Sequence, residues 1–367
     1  MEKIDVAVIG GGVTGLAIAG AIATRCGVST CVLERHPRPG LDTSTHNSGV
    51  IHGGMYYPSG TLKARLCIEG RRLLYSFCAA HDVPHARCGK LIVGHDASEI
   101  PALEALWRRG IANDVEELDL VDHHFIARRE PAVRAVAGIF SPETGIVDAE
   151  ELVKALLRAA RSAGVVFLPG TRLVGADPHA DGLVLRTERE TMLTGTVVNA
   201  AGLYADDVSR MLGGESFTIY PCRGEYAQLT TSRRSLVNGL VYPLPHPAGH
   251  GLGVHVTRTV DGAVMFGPTV HYQEQKDDYE GGRLAVEDFV QPVQRLLPDV
   301  TLADLRLGGS GIRPKLHPPG ESFADFMIRR DRENPAIVHA AGMESPGLTA
   351  CLAVGNLVAD LVGELRT

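Results

Sequence analysis

The chain opens on an apolar, β-branched run, Ile4 to Ile9, that reads as a strand buried on both faces. The pattern then changes. Gly10-Gly11-Gly12-Val13-Thr14-Gly15 fits G-x-G-x-x-G, Leu16 to Thr24 is an Ala-rich helix that Gly27 ends, and Ser29 to Leu33 is a second strand. Glu34 stands at the end of that strand, 19 residues beyond Gly15. Each part has a physical use. Gly10 permits a tight turn, Gly12 lets backbone N–H groups approach a pyrophosphate, and Gly15 lets the helix lie close to the strand. The helix N-terminus favours phosphate, and a carboxylate at Glu34 can bind both ribose hydroxyls. The stretch predicts a dinucleotide site. Val6 to Thr24 is also a run of 19 uncharged residues that mimics a transmembrane helix, and Lys3 before it mimics a signal peptide. Five glycines, three of them consecutive, make a poor helix, and the Glu34 strand would lose its partner if the segment were removed. Both of those readings fail.

Further along, Thr61 to Asp82 has helical spacing and Pro84 stops it, Cys88 to Val93 is a strand, and Glu99 to Gly110 is an amphipathic helix. The chain turns around Arg128-Arg129-Glu130-Pro131. Ala149 to Ala163 is a helix with Asp148 as N-cap and Gly164 as stop, followed by a strand at Val165 to Leu168. Val197 to Gly202 is an apolar strand ending in small residues. From Thr218 to Thr269, short strands between Gly/Pro turns predict an antiparallel sheet. In LGVHVTR, Leu252, Val254 and Val256 share one face, and Gly253, His255 and Thr257 share the other. Phe289 to Leu297 is a short helix, Gly308 to Pro314 reads as a glycine-rich loop, and Val338 to Gly342 is a strand. Glu344 to Thr349 opens a final helix running to about Leu365.

Composition narrows the class. At 367 residues the chain exceeds one typical core, which predicts two domains. Hydrophobic residues make up 44%, the formal charge is −7 and no Lys/Arg block exists, so nucleic acid is not an expected partner. Seven cysteines without a C-x-x-C pair argue for a reducing compartment and against a zinc site or disulfide framework.

Ser44-Thr45-His46-Asn47-Ser48-Gly49 is a dense polar segment, and Val50-Ile51-His52-Gly53-Gly54 after it allows close backbone approach to a bulky group. With the N-terminal motif, the stretch THNSGVIHGGMYYPSGTLKARLC resembles the flavin enzymes related to D-amino-acid oxidase. Within them it looks most like the L-2-hydroxyglutarate dehydrogenase/oxidase group. NAAGLYAD (199–206), CRGEY (222–226), YPLP (242–245), LGVHVTRTVDGAVMFGP (252–268) and GSGIRPKL (309–316) carry the likeness along nearly the whole chain.

The resemblance implies an α/β fold with a Rossmann-like FAD-binding domain and a second domain built on an antiparallel β-sheet. The boundaries expected are 1–85, 145–215 and 308–367 for the first, and 86–144 and 216–307 for the second. It implies FAD bound without a covalent link, since no attachment residue of the family type is present. The expected FAD contacts begin at Gly10, Gly12, Val13, Thr14, Gly15, Glu34 and Arg35. They continue through the polar loop at Thr43, Ser44, Asn47, Ser48, Gly49 and Val50, then Val174 near the adenine and Ala200, Ala201 and Gly202 near the pyrophosphate. Gly311, Arg313 and the turn Glu344, Ser345, Pro346, Gly347, Leu348 and Thr349 complete the set.

Oxidising a 2-hydroxy acid needs a hydride acceptor, a base and a cation for the carboxylate. Arg313 is the expected carboxylate clamp, because a guanidinium forks onto such a group; a structural salt bridge is the alternative. His52 and His255 are the base candidates, each with a structural histidine as its alternative. Tyr57 and Tyr242 could hydrogen-bond substrate, and Arg223 or Arg258 could hold a second carboxylate, with surface pairing as the alternative for both. Pro314-Lys315 and GMESPGLTACLAVG depart from the hydroxyglutarate group toward glycerol-3-phosphate-dehydrogenase-like relatives. The favoured reaction is L-2-hydroxyglutarate to 2-oxoglutarate, with a quinone or oxygen as electron acceptor. Glycerol 3-phosphate, another 2-hydroxy acid or an amino acid is the alternative substrate, and a non-catalytic flavoprotein the rival from another class. The expected setting is cytoplasmic, with peripheral contact at the inner membrane face as a variant.

Overall fold

The computed structural model describes residues 2–245 and 254–364. Leu252, Gly253 and the chain beyond Glu364 lie outside the described residues.

The strand Glu2–Ile9 is central to an eight-stranded sheet, and Val6, Ala7 and Val8 are fully buried, which is why this run has no polar alternation. It pairs in parallel with Thr30–Leu33 and with Thr191–Asn199, so that Ile9, Leu33 and Asn199 stand level at their carboxyl ends. Ile337–Ala341 and Val166–Leu168 extend the parallel part. Leu173–His179 and Gly182–Thr187 add an antiparallel arm beside Thr191–Asn199, and Met327–Arg330 pairs antiparallel with Ile337–Ala341. Behind the first strand lies the helix Val13–Cys26, which begins three residues before and ends two residues after the stretch its alanine pattern suggests.

The last helix, Gly347–Glu364, is long and apolar enough by composition to cross a bilayer. It packs instead between Val13–Cys26 and Leu62–Ala80, with Val354, Val358 and Val362 fully buried in the core. A Cβ on Gly355 would lie 2.8 Å from the Ala17 carbonyl oxygen, so these two helices meet backbone to backbone. Asp148 caps Ala149–Ser162 by accepting from the Glu150 and Glu151 N–H groups, as the sequence suggests.

A nine-stranded sheet faces the first across the molecule's cavity. Its antiparallel run holds Tyr220–Leu229, Leu240–Pro243, His255–Arg258 and Val264–Gly267. Lys90–Gly94 joins Leu240–Pro243 in parallel and carries Ala137–Ser141 and Asp119–Asp122 outward. Two expectations need correction. The glycines from Gly308 to Gly311 are not a loop but part of an 11-residue strand, Leu305–Lys315, paired along Tyr220–Leu229. Ladder hydrogen bonds supply the order that small side chains cannot, and residues 308–315 therefore extend the second sheet rather than the nucleotide-side sheet. The turn at Glu130-Pro131 is also preceded by a short helix, His123–Arg129, which Asp122 caps through the Phe125 N–H.

Candidate active site

A cavity of about 690 Å3 runs from the carboxyl ends of the parallel strands to the inner face of the second sheet. Such crevices are where open α/β sheets bind ligands. Its near end is glycine backbone. Gly10 has φ +110°, and a Cβ there would lie 2.5 Å from the Ala200 carbonyl oxygen; Gly10 to Thr14 line the wall beside Ala200, Ala201 and Gly202. Gly15 does not line the cavity. A methyl there would collide with the Gly10 carbonyl, so its role is helix–strand packing.

Glu34 is buried, and its Oε2 accepts from the Gly11 N–H at 2.7 Å while Oε1 accepts from the His36 N–H at 2.8 Å. Two backbone donors orient the carboxylate and leave a lone pair on each oxygen for a diol. Beside it the Arg35 guanidinium lies 3.8 Å from the centre of the Tyr204 ring and pairs with Asp42 at 2.9 Å. Thr171, Arg172 and Leu173 form the cavity wall where Val174 was expected; the Val174 side chain turns to solvent at 48% exposure. Strand alternation explains the offset.

The polar loop is held by its own side chains. Asn47 donates to the Thr43 and Ser44 carbonyls and accepts from the Gly49 N–H, and Ser44 Oγ accepts from the Val13 N–H. Ser44, Ser48 and Val50 face the cavity, whereas Gly49, at φ +64°, is pressed against the Val147 carbonyl. Thr43 Oγ1 donates to the Ile312 carbonyl at 2.8 Å, which ties the loop to the strand bearing Arg313. Gly311 lies so close to the His46 carbonyl that a Cβ there would collide with it.

The far end is chemical. His52 Nε2 lies 3.2 Å from Ser345 Oγ, which in turn is 3.3 Å from Tyr57 Oη. Burial pushes the Tyr57 phenol well above its ordinary value, so Tyr57 stays protonated and can donate to Ser345, which can in turn donate to Nε2. Burial first, and the Lys90 ammonium second, hold His52 at about 3; it is a neutral group at physiological pH. Thr349 does not line the cavity: its hydroxyl accepts from the His52 N–H and donates to the Val50 carbonyl, clipping the final helix to the loop.

Arg313 lines the same space. Its Nη2 donates to the Thr269 carbonyl at 2.7 Å and its Nε to the Cys222 carbonyl at 3.3 Å, while Nη1 has no protein partner among the described residues. His255 also lines it and stacks on Tyr242 with ring centres 3.6 Å apart and 13° between planes. His255 is therefore on the cavity side of its strand and Val256 in the core, as the alternation requires. Arg223 and Arg258 fall away from this group. Arg223 is 1% exposed and bonds to Glu225, because residues 223 and 225 share the strand face opposite the cavity-lining Gly224 and Tyr226. Arg258 donates to the Arg234 and Val237 carbonyls. Neither lines the cavity.

The turn before the final helix carries a charge cluster that sequence reading missed. Glu344 pairs with Lys63 at 2.9 Å and Lys315 at 2.8 Å. Burial pushes its carboxyl up, but the two ammonium groups overcome that and hold it at about 2. Lys90 and Tyr226 were missed as well. The sequence offers only a lysine heading the apolar run KLIVG for the first, and for the second an alternation in CRGEY that groups Tyr226 with Gly224 without saying which face looks inward.

The near end fits FAD on structural grounds. A methyl group on Gly10 or Gly12 would fill the cradle beside Ala200 and Ser44, and an oriented carboxylate waits where the ribose diol would lie. The comparisons agree. The family model for FAD dependent oxidoreductases matches residues 5–361. An L-2-hydroxyglutarate dehydrogenase of Arabidopsis thaliana is 35% identical, covering 98% of this chain and 83% of the relative. One from Escherichia coli strain K12 is 30% identical over 99% of this chain and 93% of its own. Among solved structures, an L-alpha-glycerophosphate oxidase from Mycoplasma pneumoniae with FAD bound has a TM-score of 0.90 and 28% identity, covering 99% of this chain and 95% of that one. A glycine-turned cradle, a buried ribose acceptor and matches spanning nearly every residue place this chain in the FAD-dependent oxidoreductase family, as an enzyme that works with FAD.

Proposed function

We propose that the enzyme oxidises L-2-hydroxyglutarate to 2-oxoglutarate. Bound FAD supplies a hydride acceptor. The chain supplies the rest. Arg313, fixed by two backbone carbonyls with Nη1 still open, is built to take one carboxylate of the substrate. His52 takes the hydroxyl proton at Nε2, the substrate hydroxyl replacing Ser345 there, and its neutrality makes it ready to receive that proton. The stacked Tyr242 and His255 form the wall against the carbon chain, with His255 as orienting group or alternative base. Gly10, Gly12, Glu34 and the loop Thr43 to Val50 hold the cofactor, and Glu344 to Leu348 close its far side.

The observation that carries this reading is the convergence of Arg313 and His52 on one cavity next to the FAD cradle. The names of the 30–35% identical relatives support the substrate. A second reading, glycerol 3-phosphate, draws on the FAD-bound oxidase at TM-score 0.90. In either reading electrons pass to a quinone or to oxygen, and a quinone acceptor would bring the enzyme into peripheral contact with a membrane. The test is anaerobic bleaching of the flavin. L-2-Hydroxyglutarate should reduce it fastest, ahead of its D-enantiomer, L-lactate, glycerol 3-phosphate and amino acids. A tenfold or greater advantage for glycerol 3-phosphate or an amino acid would reject the substrate and leave the family intact.

A further inference from the structure

Arg223 and Glu225 form a buried ion pair on the strand face opposite the cavity, and each has a further partner. Arg223 Nη1 donates to the Asp278 carbonyl at 3.3 Å, and Glu225 Oε2 accepts from the Leu284 N–H at 2.8 Å. A buried pair is costly unless its remaining donors and acceptors are met, and here main chain meets them. Ser310 Oγ donates to the Tyr279 carbonyl at 2.6 Å, and the Gln273 N–H donates to the Pro221 carbonyl at 3.1 Å. Residues 273–284, which follow the short strand His271–Tyr272, are thus pinned to the second sheet at their start, middle and end. Asp278 adds an internal turn by accepting from the Glu280 and Gly281 N–H groups.

The other side of this segment meets the walls of the FAD end. Lys276 Nζ donates to Asp206 Oδ1 at 2.6 Å and to Asp207 Oδ2 at 2.7 Å, both in the helix Ala205–Met211. The same ammonium lies 5.4 Å from the centre of the Tyr204 ring, on which the Arg35 guanidinium also rests. Three residues on, the Tyr279 ring packs against His46 of the polar loop with ring centres 4.6 Å apart. Tyr204, Asp207 and His46 line the cavity, whereas none of residues 273–284 does. A segment rooted in the second sheet therefore holds two walls of the cofactor cradle from outside.

We propose that residues 273–284 are a brace that retains FAD, with Lys276 as its positioning residue. The closed brace keeps the Tyr204–Asp207 wall and the polar loop at the spacing the cofactor needs, and FAD leaves when Lys276 releases the helix. Without the ammonium, Asp206 and Asp207 would be neighbouring carboxylates with their shared cation gone, and the wall would shift to hydrate them. The effect is reciprocal: the factor by which the closed brace raises FAD affinity is the factor by which bound FAD favours closure. The brace acts on the cofactor alone, so the identity of the substrate does not enter.

FAD-loaded wild type, Lys276→Met and Lys276→Arg should be diluted and the released flavin followed by its fluorescence. Lys276→Met keeps the length without the charge and should release FAD about tenfold faster than the wild type. Lys276→Arg can still span both carboxylates and should stay within about twofold of the wild type. Wild-type release from Lys276→Met overturns the proposal. Equal acceleration in both variants overturns it too, because lost fit rather than a lost bridge would then be the cause. A second measurement needs no variant: hydrogen exchange in wild-type apoprotein and holoenzyme. Loading FAD should slow exchange across residues 273–284 more than in the helix Ile100–Ala112, which touches neither wall. If the slowing is no greater there than in that helix, the brace is not coupled to the cofactor, even should Lys276→Met fail to fold.

Discussion

In the proposed function, single residues at the far end of the cavity divide the work between holding and reacting. On the proposed reading Arg313 meets a carboxylate that is charged before, during and after the reaction, so Arg313→Met should mostly raise KM, by about 10²-fold or more, because a desolvated carboxylate would be left unpaired. A base acts only as the proton leaves. His52→Ala should therefore lower the rate of flavin reduction by roughly 10²–10⁴-fold with little change in KM. Stopped-flow reduction at varied substrate concentration separates the two effects, and equal changes in both parameters for both variants would contradict the division. The sequence pointed to the cavity positions of His52, beside glycine, and of His255, on a strand whose alternation fixes its face, whereas Arg313 was named for its chemistry in a stretch read as a loop. Arg223 was misread by one face. Nothing in CRGEY alone says which side of the strand looks inward; the pairing with Leu305–Lys315 decides it. Lys90 escaped notice because its oddity lies in lacking a partner, a property of packing rather than of spacing.

At the level of elements, the decisive contact is between the polar loop and the strand Leu305–Lys315. The sequence shows the loop's chemistry and the strand's arginine but not that they touch. They are some 260 residues apart in the chain, the Thr43–Ile312 hydrogen bond spanning 269 positions. Gly311 and Gly309 sit two apart on this strand with opposite surroundings: a Cβ on Gly311 would meet the His46 carbonyl, whereas one on Gly309 would meet open space. Gly311→Ala should displace the loop and weaken FAD binding, read as free flavin released on dilution. Gly309→Ala should retain flavin like the wild type. Equal retention by the two variants would show that the loop does not depend on this contact. Of the nucleotide-side strands, Glu2–Ile9, Thr30–Leu33, Val166–Leu168 and Ile337–Ala341 were readable to within two residues, since buried strands beside glycine turns leave few alternatives. Gly182–Thr187 and Met327–Arg330 were not read, and Thr191–Asn199 begins six residues earlier than expected.

Over the whole molecule, the Lys63–Glu344–Lys315 cluster joins three distant segments: the helix Leu62–Ala80, the turn before the final helix and the end of the second sheet. With Glu344 held at about 2 in the folded state against an ordinary value of 4.5, its contribution is complete above about pH 4.5 and disappears as pH falls toward 2. One pH unit of such a shift corresponds to about 1.4 kcal/mol. Glu344→Gln should thus lower Tm at pH 7 by a few degrees, roughly 3–6 °C, and the gap to wild type should narrow below pH 4. Thermal melts of both proteins from pH 3 to 7 check this, and a gap that does not vary with pH would remove Glu344 from the account.

The clip between Thr43 and Ile312 also governs what motion can do to the site. Arg313 is one residue from that carbonyl, so the polar loop and the proposed substrate clamp are joined through a single hydrogen bond. If the second sheet rocks against the first, this bond makes the loop and the arginine travel together, which limits how far the proposed clamp can drift from the cofactor's polar loop. Breathing of the molecule would then alter how fast molecules enter and leave without blurring the alignment in which hydride transfer takes place. Changes of substrate preference among such enzymes would accordingly arise on the unclipped wall, at Tyr242 and His255, which can be remodelled without disturbing the cofactor.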